Sequence, residues 1–251
     1  MTPIVKLLRL CDGEEPAMGK IYHRMFDVIE KTKKSDVTWA PTALEKIETR
    51  WEYLHSFMHG AGYALDPEFM QNTQDWDLAT SNGVMEVIER LCIRDICAAA
   101  DDPEEARKKI TATDKEVIER VAKCEIELSK YRENEGIFTR GSVILNAKTM
   151  PPSTWWAQYG KHLPILSGVA KTVLSQVVCA SAAERNWSIY GQIKNEKRHA
   201  LSHATGDKLV YCHEALHLKD KLQKAGYEAK TVKWDSDSDS DESDDEKDLM
   251  Q

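Results

Sequence analysis

Apolar side chains recur at three- and four-residue steps through almost all of this 251-residue chain, and the apolar–polar alternation of a strand is nowhere sustained. That spacing sets residues on one face of a helix, so the chain is expected to be mainly α. The segment TALEKIETRWEYLHSFMHG opens with Thr42-x-x-Glu45, a capping-box pattern, and carries Leu44, Ile47, Trp51, Leu54 and Met58 at helical steps, predicting one helix with a buried face up to a turn at Asp66-Pro67. GVMEVIERLCIRDICAAA predicts a second helix, ended at Asp101-Asp102, with Pro103 opening a third in the first-turn position that proline favours. Thr113-x-x-Glu116 restarts the helical pattern through Val117, Ile118, Val121, Ile126 and Leu128 toward Tyr131. After a loop holding Gly136 and Gly141 and the pair Pro151-Pro152, LPILSGVAKTVLSQVV places Leu166, Val169, Ala170, Val173, Leu174 and Val177 on one stripe. The last helical pattern, DKLVYCHEALHLKDKLQKAG, is apolar on more than one side, which predicts burial between partners or subunits.

Charge is the next constraint. The formal charge is −8, but nine acids and one lysine lie in WDSDSDSDESDDEKD near the C-terminus, and setting them aside leaves 33 acids against 33 bases. A neutral body lacks the surplus of Lys and Arg that draws a protein to a phosphate backbone, so DNA binding by this chain alone is not expected. The Asp-Ser stretch buries too little apolar area to offset the entropy of ordering and is expected to be disordered. Six cysteines (Cys11, Cys92, Cys97, Cys124, Cys179, Cys212) are scattered without a secretory signal, since Lys6 and Arg9 interrupt the only apolar N-terminal segment, and they read as reduced thiols of an intracellular protein. No apolar run approaches the roughly 18 residues that would span a bilayer.

The block from Pro152 to Leu216 carries Trp155-Trp156, Tyr159-Gly160, Pro164, Leu166, Ala170, Leu174-Ser175, Ser181, Glu184-Arg185-Asn186-Trp187-Ser188, Lys197-Arg198, Leu201 and Leu209-Val210-Tyr211 in that order. On these residues it resembles the C-terminal dimerisation region of hAT-superfamily DNA transposases. Upstream, VKLLRLCDGEEPAMGKIY and RWEYLHSFMHGAGYALDPEF resemble the helical segments that precede this block in the same transposases. The resemblance implies a helical remnant of the insertion domain over residues 1–150, a dimerisation domain over 151–222 made of the C-terminal helices of an RNase H-like core, and an acidic tail over 223–251. It further implies a nuclear protein that pairs with itself or with related hAT transposase-like chains. Two positions depart from the family pattern, at Arg198-His199-Ala200-Leu201 and at Ala215-Leu216-His217.

In that family the catalytic site joins two aspartates to a late glutamate, and the resemblance assigns Glu184 to the glutamate. This sequence is read as starting inside the insertion, so neither aspartate has a counterpart. Strand cleavage at such a site uses two divalent ions about 3.5–4 Å apart, and each hard ion takes about six oxygen ligands. One carboxylate does not hold the pair. No catalytic residue and no cofactor are therefore expected in isolation, with a divalent metal entering only if the aspartates are supplied elsewhere.

Each sharp reading has a plainer rival. Ser181-x-x-Glu184 is also a capping box that needs no missing partner. Trp155, Trp156 and Trp187 could stack on bases, but without a basic groove they are expected to be core or interface anchors, together with Pro164, Leu166, Leu174, Leu209, Val210 and Tyr211. His199-x-x-x-His203 and Cys212-His213-x-x-x-His217 have a zinc-like spacing, yet the carboxylates that would orient such ligands are not evident, so no metal site is expected. Lys31, Lys33 and Lys34 read as a solvated helix end before they read as an import signal.

Overall fold

The computed structural model describes residues 3–13, 16–193 and 202–223, without the side chains of residues 73–75, 181–183, 185, 186, 221 and 222. The segment 224–251, which holds the acidic tail, lies outside the described residues, as do Lys197, Arg198, His199, Ala200 and Leu201. The described chain is mainly helical and contains no strand. In order the helices are α1 (Pro3–Asp12), α2 (Met18–Lys33), α3 (Ala40–Leu54), α4 (Phe57–Leu65), α5 (Leu78–Ala99), α6 (Pro103–Lys109), α7 (Lys115–Arg132), α8 (Gly141–Ala147), α9 (Pro152–Tyr159), α10 (Pro164–Leu174), α11 (Ser181–Ile193) and α12 (His203–Gln223), with short 3-10 turns at Pro67–Asp75, Gly136–Thr139 and Gly160–His162. No helix among the described residues is long and apolar enough to cross a membrane.

The centre is α4, sandwiched between α2 and α5. Its small residues make the close approach possible. A Cβ on Gly62 would sit 2.8 Å from the Met18 carbonyl oxygen of α2, and one on Gly83 of α5 would sit 2.7 Å from the Phe57 carbonyl oxygen. Around this crossing Leu65, Met70, Val84, Val87 and Ile88 join Leu128 and Tyr131 of α7, Trp155 and Trp156 of α9, and Leu166, Val169, Val173 and Leu174 of α10 in one core. A smaller cluster, Leu10, Ala17 and Ile21, holds α1 against α2 with Leu7, Cys11, Trp51 and Val178 at its edge.

Four expectations about helix bounds are corrected. The single helix expected from Thr42 to Gly60 is two: α3 ends at Leu54, His55 turns extended, and a new capping box forms in which Ser56 and His59 satisfy one another's backbone N–H groups. Thr42 lies inside α3, where it cannot cap, and α3 buries only Ala40, leaving Leu54 62 % exposed. Thr113 does not cap α7 either; the cap position is Asp114, whose carboxylate accepts from the Thr111 N–H at 2.7 Å. Val177 lies beyond the end of α10 and is exposed. By contrast α5 ends and α6 begins where the sequence marks them, with Asp102 accepting from the Glu105 N–H at 3.0 Å and Pro103 in the first turn of α6, although α5 starts at Leu78, five residues before the expected Gly83.

Buried charge binds α2 to the turn after α4. Asp66 is almost wholly buried and accepts from the Glu68 N–H at 3.0 Å, while Lys20 pairs with both Asp66 and Glu68, and Arg24 donates to Glu68 at 2.6 Å. Lys31, Lys33 and Lys34 pair with Asp27, Glu48 and Glu30, as a solvated helix end would.

Candidate functional site

The residues singled out from the sequence fall into two groups with opposite surroundings. Trp155, Trp156, Leu166 and Leu174 are buried in the main core. Both indoles are tied to backbone there: Trp155 Nε1 donates to the Val143 carbonyl at 3.0 Å and Trp156 Nε1 to the Leu65 carbonyl at 2.8 Å, satisfying the one polar atom that burying a tryptophan strands. Pro164 occupies the first turn of α10 and is exposed. At the same turn the Leu166 N–H donates to Glu127 Oε2 of α7 at 2.7 Å, so a carboxylate from a neighbouring helix caps α10. This group welds α9 and α10 to the helices upstream.

The second group lies on α11 and α12, which pack on each other. Here Trp187, expected as a core or interface anchor, is not in the core of this chain: the residue is 73 % exposed, and its ring meets that of Tyr190 edge to face at 5.9 Å between centroids. Leu209 and Tyr211 are exposed and Val210 is half-buried. Leu216 and Leu218, which belong to the helical pattern read as apolar on more than one side, are exposed as well. Tyr190 Oη and His203 Nδ1 lie 3.2 Å apart, a hydrogen bond joining the two helices, and Gly206 is buried near the start of α12.

The arrangement on α12 follows from its spacing. Leu209 and Leu216 are seven residues apart, as are Tyr211 and Leu218, so each pair forms a seam along one face. The seams start two residues apart, about 200° round the helix at 100° per residue. A single neighbouring helix cannot cover both. Such a helix presents an apolar seam outward whichever side α11 takes.

Glu184 stands in the first turn of α11, exposed, with its backbone N–H donating to the Ala180 carbonyl at 2.8 Å. An acid is favourable there against the positive end of the helix. The Ser181 side chain, and with it the capping box, lies outside the described residues, as does His199 of the zinc-like spacing. Cys212, His213 and His217 are exposed on α12. Among the described residues no three His, Cys, Asp or Glu side chains converge as a metal ion would require.

Residues 127–216 match the family model described as the hAT family C-terminal dimerisation region. The match begins at Glu127, within α7, and so takes in the welded helices α8 to α10 as well as the exposed pair. No curated protein and no solved structure matches the chain. Residues 127–216 are accordingly similar to the C-terminal dimerisation region of the hAT family, and the helices upstream of Glu127 pack against the matched segment.

Proposed function

We propose that this chain acts through protein association, pairing with a second copy or a related hAT chain by the exposed faces of α11 and α12, and that it has no strand-transfer activity of its own. The observation that carries the reading is the outward placement of Trp187, Leu209, Tyr211 and Leu216 within the segment that matches the dimerisation region, with Leu218 exposed just beyond it. Burying such side chains contributes about 1.5–3 kcal/mol each, and association costs about 4–15 kcal/mol in lost freedom. Five side chains on each of two copies give about 15–30 kcal/mol if all are covered, enough to exceed that cost. The absence of activity is argued from ligand number: Glu184 offers one carboxylate to a pair of ions that together need several.

Two differently tagged copies of the full chain, mixed and recovered through one tag, test the association. The reading expects the second copy to come through, and to be lost when Leu209 and Tyr211 are both changed to Asp. Absence of exchange between wild-type copies overturns it.

A second reading rests on the exposure of Glu184, which leaves its carboxylate open to a partner polypeptide that brings the two aspartates. Incubating the chain with DNA and magnesium or manganese separates the two: cleavage that Glu184→Gln abolishes would establish the enzyme reading for the chain itself, and cleavage that appears only when a second polypeptide is added would establish the shared site.

A further inference from the structure

The arm formed by α11 and α12 is rooted in the linker 175–180, and that linker docks on α1 rather than on the main core. Val178 packs at the edge of the Leu10, Ala17 and Ile21 cluster beside Cys11, and the next residue, Cys179, directs its Sγ at the Cys11 carbonyl oxygen, 2.8 Å away across 168 residues of sequence. We propose that Cys11 and Cys179 form a disulfide when the chain meets a small-molecule disulfide such as oxidised glutathione, fastening α1 to the root of the arm.

Position and access both favour this pair. The Cys11 Cβ is two bonds from the carbonyl carbon whose oxygen meets Cys179 Sγ, which sets the two side chains at the same contact between α1 and the linker. Cys11 and Cys179 are half-buried and open to a small oxidant, whereas Cys92, Cys97 and Cys124 are buried in the core and Cys212 is isolated on α12. Burial, then the neighbouring Cys179 thiol and the Asp12 carboxylate, push the Cys11 thiol up to about 11, which suits it to the second step rather than the first. In the first step the Cys179 thiolate attacks one sulfur of the small disulfide, breaking its S–S bond and releasing one small thiolate, which takes up a proton. In the second the Cys11 sulfur, giving up its proton to solvent, attacks Cys179 Sγ and expels the other small thiolate. Two protein thiols are oxidised and one small disulfide is reduced to two thiols.

The test uses the full chain carrying Cys212→Ser, which removes the exposed thiol. Treatment with excess oxidised glutathione, digestion without reductant and mass spectrometry are expected to give one cross-linked peptide pair containing Cys11 and Cys179, lost on reduction and absent when either is changed to Ser. Because the bond closes a loop of well over a hundred residues, the oxidised chain is also expected to melt about 5–10 °C higher than the reduced one. Stable glutathione adducts on Cys11 or Cys179 without a cross-link, or a cross-link between Cys92 and Cys124 instead, overturn the proposal. The bond is internal to one chain, so it is scored independently of self-association: a monomer that forms it upholds this inference and removes the dimer.

Discussion

Three tryptophans with the same sequence credentials meet different fates. Trp155 and Trp156 are fully buried with their N–H groups satisfied, and Trp187 is turned outward. Helical spacing marks all three as anchors but does not say what each anchors to, because that depends on which helix faces it in space. The same limit hides Tyr131. Its hydroxyl is buried with no hydrogen-bond partner among the described residues, and burial, then the Asp66 charge, raises its pKa well above the usual tyrosine value, so it stays neutral. An unpartnered buried hydroxyl costs about 1–3 kcal/mol. Tyr131→Phe is thus expected to raise stability by about 1 kcal/mol in urea unfolding, and a clear loss of stability would show that the hydroxyl is paired after all.

At the scale of elements, the sequence was most legible where a helix carries its own stop and start signals. Asp102 and Pro103 placed α6 correctly because both act locally, on the backbone beside them. The break between α3 and α4 was missed for the opposite reason: the apolar steps through Trp51, Leu54 and Met58 run on across it, while the capping partner of Ser56 is a histidine rather than the expected Glu or Gln. His59 Nδ1 accepts from the Ser56 N–H at 3.1 Å, and burial, followed by the nearby His55, lowers its pKa, which keeps the ring neutral and able to accept. Ser56→Ala is expected to cost about 1 kcal/mol, measured as a shift in the urea midpoint with an unchanged slope.

The ion cluster that joins α2 to the turn after α4 sets the response to acid. Burial alone would raise Glu68, but the Lys20 ammonium and the Arg24 guanidinium outweigh it and hold its carboxyl below the usual range, whereas burial dominates at Asp66 and raises it. A depressed carboxyl stabilises above its unfolded value, and that stability is lost as the pH falls through the folded one; Asp66 works in the opposite sense. Glu68→Gln is therefore expected to lower stability at pH 7 and to flatten the decline between about pH 5 and pH 3. An acid limb as steep as that of the wild type would show that Glu68 does not govern it.

For the whole molecule, the resemblance read from motif residues placed the dimerisation region at 151–222, and the family match over 127–216 overlaps it but starts 24 residues earlier, within α7. The division inside that region was not legible. Residues 127–174 are built into the core with α4 and α5, and only α11 and α12 stand apart as an arm, a distinction set by contacts such as Trp156 to Leu65 that span 91 positions. The outward seams of that arm are the centre of this account.

Sedimentation equilibrium of the full chain from about 1 to 50 micromolar, beside a Trp187→Ala, Tyr211→Ala variant, tests it most directly. The wild type is expected to rise from its 28.5 kDa chain mass to twice that value across the range, while the variant keeps the helical circular dichroism of the wild type and stays at the chain mass. A wild type that remains at the chain mass throughout, or a variant that associates equally well, would contradict the account.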